Sequence, residues 1–135
     1  IQASLVGSEM CIRDRISNRS SKVVDYHREN LFKRLSASGL DLNLDDERVV
    51  KEIGILAERC DISEEITRLQ SHFIQSEKYF NSEEAGGRPL DFLVQEISRE
   101  LNTIGSKAND AEIAQIIVES KTELEKIREQ VQNVE

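Results

Sequence analysis

No tryptophan occurs in these 135 residues, proline occurs once, and aromatic residues make up only 4% of the chain. A core must therefore be built from Ile, Leu and Val, and the scarcity of helix breakers favours long helices. Two cysteines, Cys11 and Cys60, are too few for a disulfide framework. No run of about 18 apolar residues exists, so no membrane-spanning helix is expected. Nothing has the layout of a secretory signal, and a cytoplasmic location is the expectation that remains. A Gly-rich phosphate loop, an HExxH metal motif, a CxxC pair and a serine elbow are also missing, which removes the chemistries they carry.

What is present is charge on a helical pattern. Charged residues make up 33% of the chain, and the formal net charge is −8. That balance disfavours free-standing nucleic-acid binding, because phosphate rewards Lys and Arg. The charge is uneven, however. Residues 1–60 hold ten basic and ten acidic residues, whereas residues 108–135 hold three basic against seven acidic. The length suits one domain, and the periodicity predicts an all-α fold of about five helices in antiparallel hairpins.

Residues 1–15, IQASLVGSEMCIRDR, do not fit the rest of the chain. The string SLVGSEMCIRDR looks like translated sequencing-adapter read-through, so 1–15 is set aside as a non-native, disordered leader. A first helix is expected from Ser20 to Ser38, buried along Val24, Leu31, Phe32 and Leu35 and stopped by Gly39. His27 in it reads as a surface or lightly packed histidine. Leu40 to Asp46 reads as an acidic loop, and a second helix runs to Cys60, a small core residue. Asp61 then caps a third helix with Glu64 three residues on. Its apolar stripe is Ile62, Ile66, Leu69, Phe73 and Phe80, and Glu64, Glu65, Arg68 and His72 lie beside it.

After a loop over Asn81–Arg88, a fourth helix runs from Pro89 to Ile104, with Gly105 as its stop. Leu90, Leu93, Val94, Ile97, Leu101 and Ile104 form its stripe. Its opposite side carries two polar rows: Asp91, Gln95, Arg99, Asn102 and Ser106 in one, Glu96, Glu100 and Lys107 in the other. Phe92 sits among them, to stack on a base or pack on another helix. Asn109–Glu112 caps the last helix, where Ile113, Ile117, Ser120, Leu124, Ile127, Val131 and Val134 recur as a coiled-coil-like seam. Partial exposure of that seam in a single copy predicts self-association.

Three stretches carry a resemblance: GGRPLDFLVQEISRELNTIGSK (86–107), LAERCDISEEITRLQSHF (56–73) and EKIREQVQNVE (125–135). In this order they resemble the C-terminal part of the YicC/YloC family of bacterial proteins. The resemblance runs from about residue 20 to the end. It implies that 16–135 is the C-terminal α-helical domain of a YicC-like protein whose N-terminal domain is missing here. It further implies a metal-dependent endoribonuclease, using Mn or Mg, that cleaves single-stranded or structured RNA as a homo-oligomer such as a hexamer.

Candidate residues emerge from chemistry and resemblance together. Glu96 and Glu100, spaced i,i+4, can converge on one hard cation, with Glu64 and Glu65 completing the shell. They can equally form salt bridges to Arg99 and Lys107. With the resemblance counted, His72 is the candidate for proton transfer, so the catalytic set is His72, Glu96 and Glu100. Arg68, Arg88, Arg99, Asn102 and Lys107 are the candidate RNA contacts. Two readings stand: a catalytic surface, or a non-catalytic helical module for oligomerisation and RNA clamping whose missing N-terminal domain carries the chemistry.

Overall fold

The computed structural model describes residues 2–39, 46–80 and 87–134, with side chains over 11–39, 46–79 and 89–130. The described residues form five helices and no strand: α1 (Gln2–Ala37), α2 (Glu47–Cys60), α3 (Ser63–Phe80), α4 (Gly87–Ala108) and α5 (Ala111–Val134). Of the loops expected over 40–46 and 81–88, residues 40–45 and 81–86 lie outside the described residues, as do the side chains of Phe80, Val131 and Val134, while 87 and 88 already belong to α4. No helix among the described residues is long and apolar enough to cross a membrane.

The helix ends reflect local chemistry. Gly39 leaves α1 at φ +80, the left-handed conformation glycine adopts freely. The Asp46 side chain accepts the Arg48 N–H at the start of α2. Asp61 takes the Ser63 N–H at 3.0 Å and its hydroxyl at 2.6 Å, and these bonds hold its carboxyl below the usual range.

Helix α4 does not stop at Gly105 but continues to Ala108, and Asn109 makes the turn at φ 44. Gly105 serves packing instead. A Cβ there would lie 3.0 Å from the Ile117 Cδ1, so its absence lets α5 approach closely.

Pairings between helices fix the topology. Arg68 meets Glu100 and Glu65 meets Lys107, so α3 and α4 run antiparallel. Asn102 meets Lys121 and Asp91 meets Arg128, so α4 and α5 do too. Arg15 meets Glu119 and Arg19 meets Glu112, which sets α1 antiparallel to α5. Because α1 also packs on α3, the four close into a ring ordered α1, α3, α4, α5, and α2 lies against α1 and α4. Leu69, Ile97, Leu101, Ile104 and Ile113 are wholly or almost wholly buried in the centre.

Two expectations are corrected by this packing. Residues 2–15 belong to α1, and Ile12, 7% exposed, joins the core with Ile16 and Val23. These three recur at helical spacing on one face, so the stripe runs across the boundary drawn at residue 15. Val24, Leu31, Phe32 and Leu35 are only half-buried. The α5 seam is also internal: Ile113, Ile117, Ser120 and Leu124 are buried within the chain. It therefore supplies no exposed apolar surface for self-association over 113–124.

A buried ion pair ties α1 to the α4–α5 turn. Arg19 donates from Nε to Asp110 Oδ2 at 2.9 Å and from its terminal nitrogen to Oδ1 at 2.7 Å. Asp110 also accepts the Ile113 N–H at 3.1 Å, capping α5. The bond from Arg19 holds the Asp110 carboxyl below its usual value, against the opposing effect of burial. His27 belongs to the same joint, half-buried and not a free surface residue. Its Nε2 lies 2.7 Å from the Ala108 carbonyl oxygen at the C-terminus of α4.

Ile12→Ala is expected to cost about 2 kcal/mol in a denaturant titration, the low end for a buried isoleucine; an unchanged midpoint would mean the N-terminal part of α1 does not pack. Asp110→Asn should lower the thermal midpoint near pH ~7. Because Asp110 ionises at lower pH folded than unfolded, its contribution is whole above the ordinary value of 3.8 and fades as pH falls through the folded value. The gap between wild type and variant should therefore narrow as pH falls below 3.8 and through the folded value.

Candidate functional site

The candidate residues separate by which neighbour of α4 they face. On the α3 side, Arg68 donates from Nε to Glu100 Oε1 at 3.0 Å. Its terminal nitrogens lie 3.4 Å from Glu65 Oε1 and 3.6 Å from Glu64 Oε2. Lys107 donates to the same Glu65 Oε1 at 3.0 Å. Five predicted residues, Glu64, Glu65, Arg68, Glu100 and Lys107, thus form one network along the α3–α4 seam. The Glu100 hydrogen bond and charge, with help from Glu65 and Glu64, raise the Arg68 guanidinium above its ordinary value.

One turn along, Glu96 pairs with Arg99 at 3.8 Å. A shift of one turn from the Arg68–Glu100 pair brings His72 to the level of Glu96. Arg99 keeps a side chain 76% exposed, and Phe92 is 61% exposed.

Asn102 does not join this seam. Its side-chain oxygen accepts from Lys121 of α5, and Asp91 of the same row accepts from Arg128 at 3.0 Å. Two members of that row, Asp91 and Asn102, therefore belong to the α4–α5 seam, whereas Arg99 of the same row stays exposed beside Glu96. The Arg88 side chain lies outside the described residues.

Two buried polar atoms on α3 have no hydrogen-bond partner among the described residues: Glu65 Oε2 and His72 Nδ1. Glu65 itself is 3% exposed. A buried acceptor without a donor is costly, and in a native bundle it calls for an explanation.

The carboxylates as arranged do not fit a divalent cation. Glu96 and Glu100 do not converge: one pairs with Arg99 and the other with Arg68. Arg68 and Lys107 already occupy Glu65 and Glu100, and a cation placed there would face two positive side chains within bonding distance. No group of three His, Cys, Asp or Glu side chains among the described residues could hold a metal ion. No chemical step is therefore routed through a metal in this domain.

Sequence reasoning did not find Arg19 as the partner of Asp110. The cap at Asp110 has a local signal, but its partner lies 91 residues away, and no spacing rule reaches that far.

Comparisons with known proteins bear on the same stretch. The family described as "Endoribonuclease YicC-like, C-terminal" matches residues 16–135. A protein named probable endoribonuclease YicC from Clostridioides difficile (strain 630) is 46% identical over 123 residues. One of the same name from Haemophilus influenzae is 40% identical over 122 residues. Each alignment covers 90% of this chain and 42% of the relative, so the chain spans less than half the length of these relatives.

Arg68→Met and Lys107→Met should each lower the thermal midpoint, because each leaves buried Glu65 with less compensation. Adding Glu65→Leu to the two together should recover part of the loss, since an apolar replacement removes one of the two uncompensated charges, buried Glu100 having also lost Arg68. A further fall on adding it would show that Glu65 stabilises the seam by some other contact.

Proposed function

The chain belongs to the endoribonuclease YicC-like C-terminal family, and on that premise we propose that it engages RNA along its α3–α4 seam as part of a longer endoribonuclease. The observation that supports this reading is a pair of buried polar atoms with no hydrogen-bond partner among the described residues, Glu65 Oε2 and His72 Nδ1, on a seam that carries Arg68 and Lys107 with exposed Arg99 beside it. A ribose 2′-hydroxyl is both donor and acceptor, so it can pair with His72 Nδ1 in either tautomer once binding uncovers that atom. Cleavage of RNA can start when such a hydroxyl loses its proton and attacks the adjacent phosphorus, forming a 2′,3′-cyclic phosphate as the bond to the 5′-oxygen of the next nucleotide breaks and that oxygen takes a proton from water. In this reading His72 accepts that proton. Arg99, the most exposed guanidinium of the set, contacts the phosphate, and Phe92 offers a face for an unstacked base. Arg68 and Lys107 hold the carboxylates and supply local positive charge. Arg88 is retained as a phosphate contact by its place in the signature stretch alone.

The second reading, a helical clamp without chemistry, draws on a specific observation as well. Glu64, Glu65, Glu96 and Glu100 all have intrachain cationic partners, as they would in a purely structural network. In that reading the rest of the longer protein performs the cleavage. Self-association belongs to either reading, and Phe92, Val118 and Val50 are among the exposed large apolar side chains of the described residues, whereas the α5 seam is buried over 113–124.

The test is RNA cleavage by the longer protein carrying His72→Gln or Arg99→Ala, read beside the thermal midpoint. The catalytic reading predicts at least a tenfold loss for His72→Gln, within the usual contribution of one general base, with the midpoint nearly unchanged. A wild-type rate for His72→Gln in a folded protein would leave the clamp reading.

A further inference from the structure

On the other side of the ring, α1 and α5 enclose a groove of about 360 Å³ lined by Arg15, Asn18, Arg19, Lys22, Glu112, Gln115 and Ile116. The four α1 residues fall at positions i, i+3, i+4 and i+7, so they share one face of that helix. Helix α1 is the basic element of an acidic chain: residues 2–37 hold seven Lys or Arg against four Asp or Glu, while the whole chain carries −8. We propose that this groove binds the sugar–phosphate backbone of single-stranded RNA, a contact that rests on the RNA reading of the family but uses different residues.

The charges in the groove are not equivalent. Arg19 is clamped by both oxygens of buried Asp110, which fixes the plane of its guanidinium. A fork held in one orientation recognises phosphate with little loss of side-chain freedom. Its second acidic neighbour, Glu112, lies 3.1 Å from Nε on an exposed side chain, so an incoming phosphate can displace it. Arg15 is paired with Glu119 at 2.8 Å and precedes the family match, so it is not counted among the phosphate contacts. Lys22 has no ion-pair partner among the described residues, which leaves a mobile ammonium at the groove.

The neutral groups suit the same ligand. The Asn18 and Gln115 amides have no side-chain partners among the described residues. They can donate to phosphate and exchange hydrogen bonds with a 2′-hydroxyl. One turn beyond Lys22, Tyr26 is 48% exposed, and the Arg19 guanidinium lies 5.9 Å from its ring centre. An exposed ring beside a fixed cation offers a face on which a base can stack.

The test is fluorescence anisotropy of a labelled oligouridylate of about ten nucleotides, within the site size of single-strand binders, titrated with the 135-residue chain over a salt series. Lys22→Ala should weaken binding several-fold and reduce the salt slope by about one. Glu112→Gln should tighten binding, a change no folding defect produces. Arg99→Ala, on the α3–α4 seam, gives the comparison. If wild type binds RNA while Lys22→Ala and Glu112→Gln both match it, the groove assignment is wrong and the RNA reading survives. If wild type shows no salt-dependent binding, the groove assignment fails, while the RNA reading of the α3–α4 seam is decided separately by cleavage in the longer protein.

Discussion

Helix α4 has a neighbour on each flank, and every polar side chain on those flanks must be matched inside the bundle. Its apolar stripe is buried along Leu90, Leu93, Ile97, Leu101 and Ile104. Glu100 and Lys107 turn toward α3 and meet Arg68 and Glu65. Asp91 and Asn102 turn toward α5 and meet Arg128 and Lys121. Because these pairs join fixed positions on three helices, they set the register as well as the antiparallel sense. Displacing either neighbour by one turn would separate every pair on that flank and leave Glu65 buried without its cations.

That constraint limits what the candidate residues can do. Glu65 and Glu100 are buried and already compensated, so they hold the seam before they do anything else. What such pairing leaves over is informative. Glu65 Oε2 and His72 Nδ1 have no hydrogen-bond partner among the described residues. Arg99 and Phe92 stay open to solvent on the same side of α4. The seam therefore combines a rigid charged floor with a few unsatisfied or exposed groups, an arrangement suited to a ligand that brings its own donors.

Much of this fold was legible in the sequence, and the misses have physical reasons. The helical class, the stripe of α4, the cap at Asp61 and the small core role of Cys60 all come from local periodicity and capping chemistry. The start of α1 did not, because Ile12, Ile16 and Val23 straddle a boundary drawn where an adapter-like string ends. Gly105 was read as a stop when its function is close packing against Ile117. The site was legible only in part. Glu64, Glu65, Arg68, Glu100 and Lys107 come together as one network. Asn102 was misplaced, because the polar flank of a central helix looks the same in sequence whether it meets a ligand or another helix. Arg19 with Asp110 escaped notice because contacts between distant segments leave no local pattern.

The central claim is that RNA reaches the α3–α4 seam at His72. The chain has two histidines, so labelling both ring systems with nitrogen-15 gives resonances that can be assigned by substituting either one. A donor delivered to a bare ring nitrogen changes its shielding strongly, whereas a distant ligand does not. On titration with single-stranded RNA, the His72 Nδ1 resonance should move in step with binding measured independently by anisotropy. Saturated RNA binding with His72 Nδ1 unmoved would contradict the assignment and leave the seam as a structural clamp.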